Sequence, residues 1–304
     1  MNTEPNETWL RSYLYVRIAM VGLLVALGVA VGFQTWHQGG ELLSSVSAYY
    51  YTPAQGIFVG SLIGLGACMI ALRGTTEMED VLLNIGGMFA PIVAVVPTAR
   101  GKDYDTAVEQ CKEGGELPTG LSCPDVQALA DATRANVQNN MVALLVLGGL
   151  GIAITIFLFR HDRRAPWLAI IGGAAVYAAV LAAFVLSLDW FVASAHYLAA
   201  LGLLLAIIAV ALVNRRRHRT PGAQVRLDRY GLLAWALIVA AIVAVPLWFS
   251  GVNLFWLEIG IAALFACFWI VQTYEQRPGS PTAVTPMTPE VPTAAVPSAA
   301  TERS

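Results

Sequence analysis

Apolar residues gather in eight long runs, at about 14–35, 56–73, 81–98, 140–159, 167–188, 191–213, 230–250 and 254–273. A helix needs about 20 mostly apolar residues to cross roughly 30 Å of hydrocarbon. The runs at 56–73 and 81–98 are shorter and contain Gly or Pro, yet stay within range. Backbone groups in lipid must be hydrogen-bonded within their own segment, so each run is expected to be helical. The alternation that marks a membrane β-barrel is absent. The pattern predicts an all-α, polytopic bundle of about eight spanning helices. Its expected organisation is a cytoplasmic N-terminus over 1–13, a transmembrane bundle over 14–273 that includes an outer loop at 99–139, and a tail over 274–304.

Composition agrees. Only 12% of the residues are charged and 57% are hydrophobic, whereas soluble domains carry about 25% charge. No basic stripe with interleaved aromatics exists, which argues against a nucleic-acid partner. The charges that remain set an orientation. With the N-terminus inside, Arg11, Arg17, Arg73, Arg160, Arg163, Arg164, Arg215, Arg216, Arg217, Arg219, Arg226, Arg229, Arg277 and Arg303 all fall inside. Only Arg100, Lys102, Lys112 and Arg134 fall outside. The positive-inside rule therefore selects an N-in, C-in topology in the plasma (cell inner) membrane. Arg17 stands within the first run near its inner end, where its long side chain is expected to snorkel to water. That run is long and lacks a small-x-small cleavage site after Phe33, so it reads as an uncleaved anchor.

The polar intervals carry four further expectations. The first outer loop, Trp36 to Gln55, holds three consecutive tyrosines before Thr52 and Pro53, as an interfacial aromatic belt would. The long outer loop is net negative and contains Cys111 and Cys123. Outside the cell these are expected to form a disulfide. From Pro124 onward, Val126, Leu129, Ala130, Thr133 and Val137 recur at helical spacing. They predict a short amphipathic helix resting on the outer face. The tail is rich in Pro, Thr, Ala and Ser, a composition expected to be disordered.

Candidate chemistry is sparse. On the predicted topology Glu258, Asp189, His196 and Tyr50 all lie towards the outer leaflet, which raises an outward-facing polar pocket as a binding site. The competing reading has Asp189 and Glu258 reaching interfacial water and His196 bonding a neighbouring helix. At the inner side Asp80 and Asn84 share one helical face, and Glu77, Glu79 and Asp80 suit a helix N-terminus. Gly60 and Gly64 form a G-x-x-x-G pair, and Gly148, Gly149, Gly151, Gly172 and Gly173 add small surfaces for helix packing. Pro91 and Pro246 are expected to kink their helices. Neither H-E-x-x-H, G-x-S-x-G nor a P-loop occurs. With one His in a spanning run, no catalytic metal and no cofactor are expected.

The stretches S-V-S-A-Y-Y-Y-T-P-A-Q-G-I-F-V-G (45–60), E-D-V-L-L-N-I-G-G-M-F-A (79–90) and V-V-P-T (95–98) carry a resemblance. The chain resembles a group of uncharacterised bacterial multi-pass membrane proteins, loosely similar to the DRAM/FRAG-like family. Ser47, Tyr49, Tyr50, Pro53, Phe58, Gly60, Asp80, Asn84 and Pro97 carry the match, over roughly the first third of the chain. His196 stands where such proteins often have a His opening a late helix. The resemblance implies a plasma-membrane protein and no particular reaction.

The expected function is non-catalytic: handling a membrane lipid or small amphiphilic ligand at the outer leaflet, or supporting an envelope assembly. A permease for a small substrate is the alternative. An intramembrane lipid-modifying enzyme using His196 with Asp189 or Glu258 is a third reading. Oligomeric state stays open.

Overall fold

The computed structural model describes residues 5–98, 100, 102–113, 122–162, 166–217, 229–249 and 252–275. The expected tail lies outside these residues from 276 onward. Nine α-helices are described: α1 Pro5–His37, α2 Gln55–Ala71, α3 Glu77–Val95, α4 Lys102–Glu113, α5 Cys123–Phe159, α6 Trp167–Leu186, α7 Leu188–Arg217, α8 Arg229–Phe249 and α9 Phe255–Glu275. A 3-10 turn, Ser47–Tyr51, joins α1 to α2. No strand occurs among the described residues. The first helix starts at Pro5, well before the apolar run, so part of the expected N-terminal segment is helical.

Six helices are long and apolar enough to cross a membrane: α1 from Arg11, α3, α5, α6, α7 and α9. The apolar stretches of α2 and α8 are shorter. Much of the apolar surface faces outward. Leu147, Leu150, Phe157 and Leu158 on α5, and Ile171, Val185 and Leu186 on α6, are all exposed. Water would penalise such a surface, whereas lipid tails accept it. The chain is a membrane protein on this evidence.

Two ends of the bundle are defined by which helix termini meet. At the near end Arg17, Glu79, Asn214, Tyr230, Gln272 and Glu275 come together from α1, α3, α7, α8 and α9. At the far end the last turns of α1 and α3 meet the 3-10 turn and the first turns of α7 and α9. Helices α1 and α3 therefore run in the same direction, and α7 and α9 both run in the opposite one. The chain returns through α2 in the first case and α8 in the second.

Helix α3 is central and packs chiefly on α7 and α2. Its closest crossing, with α2, is built on glycines. A Cβ on Gly66 would lie 2.6 Å from the Gly87 carbonyl oxygen, and one on Gly87 would lie 2.7 Å from the Gly66 carbonyl oxygen. The expected G-x-x-x-G pair does not perform this role. Gly60 faces open space and Gly64 meets only Leu23 of α1. Spacing identified small residues, but the glycine turned to α3 at this crossing is Gly66, two positions beyond Gly64. Gly149 supports a second close contact, because the Tyr177 hydroxyl passes over it to donate to the Leu145 carbonyl at 3.1 Å.

Two stretches of the segment expected to be an outer loop are helical. Residues Lys102–Glu113 form α4, with Ala107 buried and Tyr104 Oη donating to the Val126 carbonyl at 3.3 Å. Helix α5 opens with a capping box between Ser122 and Asp125, with Pro in the first turn. It then runs unbroken for 37 residues, about 55 Å. The predicted short helix lying on the surface is instead the first part of this rod. No Pro or Gly separates Asp125 from the apolar run, so nothing ends the helix between them.

Cys111 of α4 and Cys123 of α5 form a disulfide across 12 positions. Closing a loop of that size contributes about 3 kcal/mol on the chain-entropy estimate. Replacing both cysteines by Ser is expected to release α4 from α5 while leaving the bundle folded. Limited proteolysis should then cut near α4 severalfold faster, with no change in the thermal midpoint of the membrane-embedded part.

Candidate functional site

The tyrosine-rich segment forms a clamp at the far end. Ser45 shapes its entry, because Ala48 N donates to the Ser45 side-chain oxygen at 3.0 Å. Thr52 shapes its exit, donating to the Tyr49 carbonyl at 2.7 Å. The Tyr49 and Thr35 hydroxyls are hydrogen-bonded to each other and tie the turn to α1. Glu258 of α9 accepts from Val46 N at 2.6 Å and Ser47 N at 3.3 Å. A carboxylate there satisfies amides that the start of a helical turn leaves unpaired. Tyr51 Oη donates to the Thr98 carbonyl at 2.7 Å, and the Arg100 guanidinium sits 4.1 Å from the centre of the Tyr51 ring. Burial pushes the Tyr51 hydroxyl well above the usual range, against the opposing pull of Arg100. It therefore stays protonated and keeps its bond. Thr98 continues the connection through a 3.0 Å hydroxyl contact with Tyr197.

The four residues expected to surround one pocket are dispersed. Glu258 is occupied by the 3-10 turn. Tyr50 is buried edge-to-face against Tyr51 and Phe58. His196 is buried and its Nδ1 donates to the Val96 carbonyl at 2.6 Å, satisfying the end of α3. Asp189 lies on the surface, paired with Arg134 of α5. Shared depth in the membrane suggested convergence, but each side chain answers to a different neighbouring backbone or charge. Among the other motif residues, Ser47 and Tyr49 belong to the clamp, and Asp80 accepts from Gly74 N at 3.0 Å. Asn84 is half-buried one turn further along α3.

A cavity of about 650 Å³ does open at the far end, between α1 and α2. Ala30, Phe33 and Ile57 give it a mostly apolar lining, with Gln34, His37 and Gln38 at its border. Pro53, at the close of the tyrosine motif, lines it as well. None of the four expected pocket residues does.

The most polar buried assembly is at the near end and was not anticipated. Thr76 caps α3, with Glu79 N donating to its hydroxyl at 3.1 Å. That start carries Glu79 into the bundle interior, where it is 1% exposed. Its Oε1 accepts from Asn214 Nδ2 at 2.9 Å and Gln272 Nε2 at 3.0 Å. Its Oε2 accepts from Thr75 N at 2.8 Å and Thr75 Oγ1 at 2.5 Å. Arg17 of α1, 4% exposed, supplies the compensating charge. The expected snorkelling of Arg17 does not occur. Its guanidinium is instead buried within electrostatic reach of Glu79, with no direct ion pair between them among the described residues. Tyr230 Oη donates to Glu275 at 2.7 Å beside this group. The sequence signal was present: Arg17, Glu79, Asn214 and Gln272 all fall towards the same predicted side of the membrane. Capping alone accounted for Glu79, so the two distant amides were not linked to it.

Among the described residues, no group of three or more His, Cys, Asp or Glu is placed to hold a metal ion. No family model, no curated protein and no solved structure matches this chain.

Proposed function

We propose that the chain is an eight-span, N-in and C-in plasma-membrane protein that binds a lipid or other small amphiphile at the outer leaflet without transforming it. The parallel runs of α1 with α3 and of α7 with α9 support eight crossings, because α2 and α8 must each return the chain. Helix α2 has 17 residues, about 25 Å, and the 3-10 turn adds length at its far end. The arginine-rich near end supports the orientation, with Arg11, Arg73, Arg215, Arg216 and Arg229 on the terminal turns or links there.

The observation carrying the binding role is the α1–α2 cavity. Its walls are apolar at Phe33 and Ile57, both exposed, and polar at Gln34, His37 and Gln38. An acyl chain fits the first set and a headgroup the second. The polar set occupies the last turn of α1 and the residue that follows it, the level at which headgroups lie on the proposed topology.

Ile57→Trp is expected to fill the cavity and lower lipid retention severalfold. The protein, reconstituted with defined mixtures of zwitterionic and anionic phospholipid, would be analysed by native mass spectrometry. Wild type should retain a discrete number of lipids with one headgroup preferred, and Ile57→Trp should lose them. Equal, non-selective retention in both proteins would overturn the binding role.

A further inference from the structure

The polar border of the α1–α2 cavity has a hydrogen-bond direction that the backbone sets. Gln38 Nε2 donates to the Glu41 carbonyl at 2.8 Å. A carbonyl can only accept, so it fixes which end of the Gln38 amide faces it. The other end, Gln38 Oε1, accepts from Gln34 Nε2 at 3.3 Å. The two side chains stand four positions apart and both border the cavity. Each amide thus turns its nitrogen towards the loop that follows α1. The relay therefore ends in an acceptor, the Gln34 carbonyl oxygen.

The electrostatic setting has the same sign. The border lies at the C-terminal end of α1, where the helix dipole is negative and cations are favoured. No Lys or Arg is among the described residues that line the cavity. The next charged residue along the chain is Glu41, which is exposed. His37, its ring 6.2 Å from that of Phe33, adds an imidazole N–H that can donate to a phosphate oxygen.

These features discriminate among headgroups. A net anionic head would bring its charge to a negative helix end with no Lys or Arg to meet it. A quaternary ammonium has a favourable charge but no N–H for the Gln34 carbonyl. It would need an aromatic cage, and of the neighbouring Phe33 and Trp36 only Phe33 lines the cavity. A primary ammonium brings both the positive charge and the donors.

Resting on the lipid-binding reading above, we infer that the cavity selects a phospholipid whose headgroup ends in a primary ammonium. The ammonium donates to the Gln34 carbonyl oxygen, the phosphate accepts from His37, and an acyl chain lies against Phe33 and Ile57.

The test reconstitutes the full chain in vesicles of equal parts phosphatidylethanolamine, phosphatidylcholine and phosphatidylglycerol with identical acyl chains. Native mass spectrometry then identifies the lipids retained. The ethanolamine lipid should exceed each of the others severalfold. A second series on wild type uses its N-methyl and N,N-dimethyl forms. These keep the ammonium charge and lose one N–H at each step, so retention should fall stepwise towards the choline level. Gln34→Met deletes the acceptor at similar length and should bring ethanolamine retention down to that of choline, with the thermal midpoint as the control for folding. Discrete retention without headgroup preference would overturn the selectivity and leave the lipid-binding reading standing. So would a preference for choline or glycerol, a flat methylation series, or an ethanolamine preference unchanged in Gln34→Met. No discrete retention of any lipid by wild type would overturn both.

Discussion

Replacing Glu79 by Ala is expected to cost about 3 kcal/mol or more, the scale of leaving several buried donors without their acceptor. The substitution strands Arg17 in the bundle interior and frees donors on Asn214, Gln272 and Thr75. Each freed donor adds a desolvation penalty of its own, about 1–3 kcal/mol where water cannot reach it. Arg17→Met should be damaging for the reciprocal reason. The double variant Arg17→Met with Glu79→Gln removes both charges and keeps a polar partner for the amides, so its loss should fall well short of the two single losses combined. Thermal unfolding in detergent micelles reads all three. A Glu79→Ala midpoint indistinguishable from wild type would mean that the assembly contributes nothing to stability.

The second large effect belongs to the α2–α3 crossing. Gly66→Ala and Gly87→Ala each press a methyl group onto the other helix's carbonyl oxygen, at 2.6 and 2.7 Å. Backbone cannot swing aside as a side chain can, so the helices must separate. Overpacking of this sort costs about 1–3 kcal/mol, and the central position of α3 spreads the shift to α7. The two substitutions should be less than additive, because the first to open the crossing relieves the second. Gly60→Ala is the control. Its added methyl group meets open space, and its effect should stay within about 0.5 kcal/mol. If Gly60→Ala proved as harmful as Gly66→Ala, the crossing would lie elsewhere on α2.

These two features show where the sequence was informative. Apolar run length located every helix of the bundle, because the requirement it reports is imposed by lipid on each helix separately. The helix-end polar residues were harder to read. Glu79 meets Asn214 and Gln272 across 135 and 193 positions, and no periodicity within α3 encodes a partner so distant. His196 and Glu258 stood out as ionisable residues in spanning runs, but their targets are backbone groups of Val96 and Val46. A backbone amide or carbonyl leaves no mark in the sequence, so a polar side chain that satisfies one looks the same as a side chain lining a pocket. The Gly66–Gly87 contact was hidden for a related reason: spacing reveals which residues are small, and only the neighbouring helix decides which of them are approached.

Helix α9 closes both ends of the molecule, with Glu258 on the 3-10 turn and Gln272 on Glu79. This has a consequence for biosynthesis. A ribosome adds about 5–20 residues per second, so Glu79 is made roughly 10–40 s before the residue that completes its hydrogen bonds. The amides of Val46 and Ser47 wait slightly longer for Glu258, across 212 and 211 positions. Throughout that interval Glu79 lacks one of its amide partners, and the amides of Val46 and Ser47 lack their acceptor. Helix α9 therefore acts as the latch of assembly. Nascent chains stalled before α9 should be held at the insertion machinery, and those released with α9 intact should become protease-resistant in a single step.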